Sequence, residues 1–190
     1  VAGAPARALR VNYVGKLGWE IYVPMARLSA LYEAICAAGE SHGIANFGAY
    51  ALNSLRMEKA YRAIALEMTN EVTCFEAGLD RFVDIEKGDF SGREATLAKR
   101  GNGTAFAIIY GEVDADDADI LGGEPIYADD QLAGVTTSGG FGHRIGKSLF
   151  FGYVEPAALD ATLEIQILGV RHRASALSEP AYDPENTRVK

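Results

Sequence analysis

Apolar and polar positions follow two different rhythms along this chain, and the rhythm changes near residue 101. In the first part the spacing is helical. Met25, Leu28, Leu31, Tyr32, Ile35 and Ala38 recur three and four residues apart, which predicts an amphipathic helix ending between Gly39 and Gly43. A second helix is predicted after Gly48, with Leu52, Leu55 and Met57 apolar beside charged Arg56, Glu58 and Lys59. Ahead of both, Ala8 to Val14 reads as extended, Gly15 to Gly18 as a turn, and the aromatic and β-branched Trp19 to Val23 as a returning strand. Further on, Arg81 to Ile85 reads as a strand and Lys87-Gly88-Asp89 as a turn. Ser91 with Glu94 forms a capping-box pattern opening a short helix to about Lys99.

Arg100-Gly101-Asn102-Gly103 is a polar, glycine-rich tetrapeptide and predicts a boundary. Beyond it the pattern becomes a series of short strands: Thr104 to Tyr110, Glu124 to Tyr127, Gln131 to Thr137, Ser148 to Val154, Thr162 to Leu168 and Val170 to Ala176. Turn signals separate them at Gly122-Gly123, Asp129-Asp130 and Gly139-Gly140, which indicates a small antiparallel barrel or sandwich. The fold class is therefore α+β. Residues 1–101 form a mixed unit, 103–181 a small antiparallel β-domain and 182–190 a tail.

Composition narrows the classes of function. An apolar fraction of 48% indicates a globular protein, and a net charge of −8 argues against nucleic acid or a basic membrane anchor as partner. No apolar run reaches spanning length, so no membrane role is expected. Cys36 and Cys74 stand alone in apolar surroundings, which suits core packing in a reducing, cytoplasmic setting. His42, His143 and His172 are widely separated, so no metal site is expected. The acidic group Asp114, Asp116, Asp117 and Asp119 reads as a solvated loop. Ser138-Gly139-Gly140-Phe141-Gly142-His143 reads as a long connection between strands rather than a phosphate loop. The chain begins at Val1 within an extended segment, and the expectation is a piece of a longer polypeptide.

The hairpin carries the most specific chemistry. Tyr13 and Glu20 sit on either side of its turn, and arms of a hairpin bring such residues side by side. An aromatic face with a carboxylate suits a flat heteroaromatic ligand bearing adjacent N–H donors, as in the amino-pyrimidinone edge of a pterin. The more ordinary reading of the same residues is packing for the aromatics and solvation for the glutamate. Arg56 offers a guanidinium fork for an anionic ligand tail, with an ion pair to Glu58 as its structural alternative. Arg93 admits the same two readings.

An ordered set of motifs then gives a resemblance. Tyr-x-Gly-x-x-Gly-Trp-Glu-x-Tyr-x-Pro (Tyr13 to Pro24) is followed by Ser-Leu-Arg-Met-Glu-Lys-Ala-Tyr-Arg (Ser54 to Arg62), Phe-Glu-Ala-Gly-Leu (Phe75 to Leu79) and Lys-Gly-Asp-Phe-Ser-Gly-Arg-Glu-Ala (Lys87 to Ala95). Thr-Ser-Gly-Gly-Phe-Gly-His (Thr137 to His143) and Gly-Tyr-Val (Gly152 to Val154) complete it. The chain resembles the C-terminal part of the glycine-cleavage T-protein (aminomethyltransferase) family. The Leu-Arg-Met-Glu-Lys-Ala-Tyr-Arg version and the Glu179 to Pro184 tail are closer to the folate modules of sarcosine and dimethylglycine dehydrogenases. The resemblance implies a partial folate-binding α+β domain followed by a β-barrel, with tetrahydrofolate as cofactor and a small amine-derived one-carbon donor as substrate. FAD would belong to a further N-terminal domain. Glu20 would accept the pterin N–H pair and Tyr13 would pack on its ring, with Arg56 near the benzoyl or glutamyl portion and Arg93 a further folate contact. The catalytic acidic group of the family is expected upstream of Val1, so no catalytic residue is assigned and the chain alone is expected to be inactive. Lys16 stands where the family commonly has Glu. The alternative function is a regulatory or assembly protein that keeps the fold without the chemistry.

Overall fold

The computed structural model describes residues 1 and 3–189. A small hairpin, β1 (Arg7–Leu9) with β2 (Glu20–Tyr22), precedes α1 (Leu28–Gly39) and α2 (Ala49–Glu58). After a long irregular stretch comes α3 (Arg93–Asn102). The strands β3 (Ala107–Val113), β4 (Pro125–Ala128), β5 (Gln131–Gly142), β6 (Lys147–Val154), β7 (Leu163–Ile167) and β8 (Val170–Ala176) follow. These six close an antiparallel barrel in the order β3-β6-β5-β4-β7-β8, with β8 returning to β3. The expected α+β class with a barrel is the observed one. Among the described residues, no helix is long and apolar enough to cross a membrane.

The barrel interior is filled from alternate positions of its strands: Ile109 and Val113, Ile126, Phe150 and Val154, Ile165 and Ile167. Strand β6 is buried on both faces beyond Lys147, because its other side chains, Leu149 and Phe151, pack outward with Met57 of α2. A continuous apolar run is what such a strand requires. Helix α2 lies across β5, and the glycines of β5 allow it. A Cβ on Gly140 would stand 2.8 Å from Asn53 Nδ2, and one on Gly142 would stand 3.1 Å from Glu58 Cγ. The segment 138–142 is therefore strand and not the expected connection. Its glycines serve close packing, and the turn to β6 is confined to 143–146.

Other elements differ from expectation for local reasons. The first hairpin arm stops at Leu9 instead of Val14. Segment 81–85 holds a single helical turn, Asp80–Phe82, and no strand. Helix α3 starts at Arg93 after Gly92 in a left-handed conformation (φ 86°), with no side-chain cap, so Ser91 and Glu94 do not form a capping box. It also continues through the expected linker to Asn102 and stops at Gly103, whose φ of 77° ends the helix.

Candidate functional site

The β1–β2 ladder aligns Leu9 with Glu20, so Tyr13 lies in the connection 10–19 and not opposite Glu20. That corrects the expected side-by-side placement: the two residues share no hydrogen bond. The connection is fixed from below by the end of α2. Asn12 Oδ1 accepts the Gly15 amide at 3.0 Å, and Gly15, at φ 67°, lies so close to Lys59 that a Cβ would meet its Cγ at 2.3 Å. Lys59 is fully buried. Its ammonium donates to the Asp183 carbonyl at 2.5 Å and pairs with the Asp183 carboxylate at 3.4 Å. Lys16 donates to Tyr182 Oη at 2.9 Å, and the Leu17 amide donates to the Arg188 carbonyl at 3.1 Å. Lys16 therefore ties the connection to the C-terminal tail, and its hydrogen bond holds the Tyr182 phenol below the usual tyrosine range.

Tyr13 is half-buried. Its ring stacks on Tyr61 with centroids 6.1 Å apart at 22°, and its hydroxyl donates to the Arg62 carbonyl at 2.8 Å. Burial raises its pKa, with Arg56 opposing. Glu20 is exposed on β2 and accepts a hydrogen bond from the Tyr22 hydroxyl, which raises the Tyr22 pKa. Among the described residues Glu20 forms no ion pair, so lone pairs of its carboxylate remain open to a bidentate donor. Trp19 and Tyr22 beside it in the chain are exposed, as are Phe47 and Tyr50 around the start of α2, Tyr50 at 96%.

Arg56 is enclosed rather than open. Its Nε donates to Asn53 Oδ1 at 2.9 Å, and its Nη1 donates to the Tyr61 carbonyl at 3.2 Å and to Glu67 Oε2 at 3.0 Å, leaving Nη2 buried without an acceptor. The expected pairing with Glu58 is not made, because Glu58 turns to the barrel and accepts the Arg144 amide at 2.6 Å. Glu67 was not singled out in the sequence, yet it is fully buried and accepts four donors. Besides Arg56 these are the Ala63 amide (2.8 Å), Thr137 Oγ1 (2.8 Å) and Ser138 Oγ (2.5 Å). Consecutive strand residues normally face opposite sides. A bulge in β5 between Thr136 and Ser138 turns both hydroxyls the same way, onto one carboxylate oxygen. Tyr153 completes the junction by donating to the Glu67 carbonyl at 2.7 Å. The Thr-Ser-Gly-Gly motif is thus the seam between the barrel and the preceding unit. Arg93 directs its Nε to the Ile85 carbonyl at 3.1 Å and steadies the segment before α3. No group of three His, Cys, Asp or Glu side chains among the described residues could hold a metal.

Two family models cover most of the chain: GCVT N-terminal domain over residues 1–87, and glycine cleavage T-protein C-terminal barrel domain over residues 108–183. The chain belongs to the glycine-cleavage T-protein family. Mitochondrial dimethylglycine dehydrogenase of Homo sapiens is 39% identical over 99% of the chain and 22% of that protein. The aminomethyltransferase of Thermosynechococcus vestitus is 35% identical over 99% of the chain and 50% of that protein. The crystal structure of glycine cleavage system aminomethyltransferase T from Bartonella henselae superposes with a TM-score of 0.85 at 26% identity, covering 93% of the chain and 50% of that protein. The chain thus spans about a fifth of the dehydrogenase relative's length and half of the aminomethyltransferases. In glycine-cleavage T-protein terms, the hairpin, α1 and α2 belong to the first of the two matched domains and the barrel is the second.

Proposed function

We propose that this chain is the C-terminal part of a tetrahydrofolate-dependent one-carbon transfer module, in the manner of an aminomethyltransferase or the folate module of a flavin-linked dimethylglycine or sarcosine dehydrogenase. The observation that carries the reading is the state of Glu20: a carboxylate on a short hairpin, oriented by Tyr22 and in no ion pair among the described residues, next to a connection whose Tyr13 is fixed by Tyr61. In this reading Glu20 accepts the parallel N–H donors of the pterin and Tyr13 lines its ring. Arg56, enclosed by Asn53, the Tyr61 carbonyl and Glu67, supports the wall of the pocket rather than touching the ligand, and Arg93 acts by shaping the segment before α3. The one-carbon donor, a small amine or its iminium, and the acidic group that moves its proton belong to sequence beyond this chain, as would FAD in a dehydrogenase parent. Both cysteines are free, which supports a reducing compartment, and we place the parent in the cytoplasm.

The test is calorimetric titration of 5-formyl-tetrahydrofolate into the full-length protein and its Glu20→Gln variant. Charge-assisted hydrogen bonds contribute about 1.5–3 kcal/mol each, so the variant is expected to bind roughly tenfold to a hundredfold more weakly. Equal affinity in the two proteins overturns the assignment of Glu20. Absence of binding in the wild type overturns the folate reading and leaves a family member with a regulatory or assembly task.

A further inference from the structure

A second charged cavity lies apart from the hairpin. It is a cleft of about 350 Å³ between the end of α2, the turn around Gly78, the outer face of β3 and β6, and the chain after β8. Arg62 and Arg81 both line it, and neither forms an ion pair among the described residues. Arg62 is half-buried and its Nε is shut off from solvent without any acceptor. Its guanidinium lies 5.9 Å from the centre of the Phe151 ring, and an Nη2 atom sits 2.8 Å from where a side chain at position 78 would begin. Glycine at that position, with φ 62°, leaves the guanidinium its space. Burial pulls the Arg62 pKa below the ordinary arginine range; the positive charge of Arg81 acts in the same direction, and Tyr153 and the Glu67 carboxylate, already engaged by Arg56, oppose it.

The remaining charges around the cleft do not remove the need for an anion. Lys59 is a third cation in its lining, and its partner Asp183 is already engaged with Lys59, Thr187 and Arg188. Glu179 also lines the cleft and forms no ion pair. A desolvated guanidinium with an unused donor, beside a second unpaired guanidinium, is costly unless an acceptor enters. The planar fork of arginine matches a carboxylate or phosphate.

We propose that this cleft is a binding site for a small oxyanion, a carboxylate or phosphate group, held by Arg62 from below and Arg81 from the rim. The site does not depend on folate binding at the hairpin. Its test is calorimetric titration of the full-length protein with inorganic phosphate and, separately, with glutarate, in the wild type and in the Arg62→Gln, Arg81→Gln and Glu20→Gln variants. Saturable binding of either anion is expected at millimolar concentration or below. It is expected to weaken about tenfold or more in Arg62→Gln, severalfold in the exposed Arg81→Gln, and not at all in Glu20→Gln. Which anion binds tells a phosphate source from a carboxylate source. Should Arg62→Gln fail to fold, the Arg62 Nε–H resonance of the wild type decides: it must move on titration and saturate with the calorimetric curve. Flat titrations with both anions, or wild-type affinity in Arg81→Gln with an unmoved Arg62 resonance, overturn the proposal.

Discussion

Glu67→Gln removes one charge from the seam between the two units and should be far more damaging than its size suggests. Glu67 and the Arg56 side chain are 0% and 2% exposed, so neither charge can be rescued by water. The carboxylate receives Arg56 and Ala63 on one oxygen, and Thr137 and Ser138 on the other. Glutamine supplies one acceptor and two donors. With its oxygen toward Arg56, the amide faces two hydroxyls that can rotate to accept, but Arg56 is left as a buried cation with no counter-charge. Breaking a buried pair from one side costs about 3–5 kcal/mol, and the retained hydrogen bonds place this variant near the lower end, about 3 kcal/mol. For urea slopes of about 1–3 kcal/mol/M the unfolding midpoint should fall by roughly 1–3 M. Arg56→Met in the same background supplies the other half of a double-mutant cycle, and the two losses should be strongly non-additive because the second removes a charge already stranded. A midpoint shift below about 0.3 M, or losses that simply add, would refute the account of Glu67 as the compensating charge.

Two further outcomes follow from the same junction. Burial raises the pKa of both Tyr153 and Tyr110 to about 12, so each contributes stability that is complete below the unfolded value near 10 and is lost as pH rises through the folded value. The protein should therefore lose stability between about pH 10 and 12, and Tyr153→Phe should flatten that slope while costing about 1 kcal/mol at neutral pH from its lost bond to the Glu67 carbonyl; an unchanged alkaline slope by circular dichroism would count against it. Asp183→Ala should strip Lys59 of its counter-charge and free Thr187 and Arg188, releasing the tail from the connection that holds Tyr13. Hydrogen exchange at the Leu17 amide, which donates to Arg188, should accelerate about tenfold or more, and unaltered protection would show that the tail does not hold that connection.

The barrel was legible in the sequence because its strands are short, regularly spaced and bounded by turn residues. The expected strand Val170 to Ala176 matches β8 to the residue, and the expected Ser148 to Val154 falls one residue short of β6. The helices α1 and α2 were legible from their periodicity. What escaped was whatever depends on contacts distant in sequence. Gly139, Gly140 and Gly142 look like a loop in isolation, and only the close approach of Ile120, Asn53 and Glu58 accounts for glycine at these strand positions. Glu67 sits in an irregular segment where a lone acidic residue suggests solvent, and its four donors come from positions as far away as Ser138. Arg62 was visible only as the end of a motif. Its lack of a partner is a property of the folded cleft, and spacing could not have revealed it.

The distribution of charge in the folded chain separates two uses of buried polarity. At the seam both carboxylate oxygens of Glu67 are spent, and those bonds tie α2 and the segment after it to β5, although Arg56 Nη2 stays without an acceptor. At the hairpin and in the cleft beside Phe151 the satisfaction is incomplete. Glu20 accepts one internal donor, and Arg62 keeps an Nε–H with no acceptor. The Arg62 backbone is held by the stacked Tyr13, and Glu20 is oriented by the exposed Tyr22 on its own strand. Positioned groups with unused bonding capacity are what a ligand site needs, because the entropy of ordering them has already been spent on folding. Tyr13, stacked on Tyr61 and bonded to the Arg62 carbonyl, links the hairpin connection to the cleft, and in the proposed reading the unused capacity at each is where a ligand would gain most.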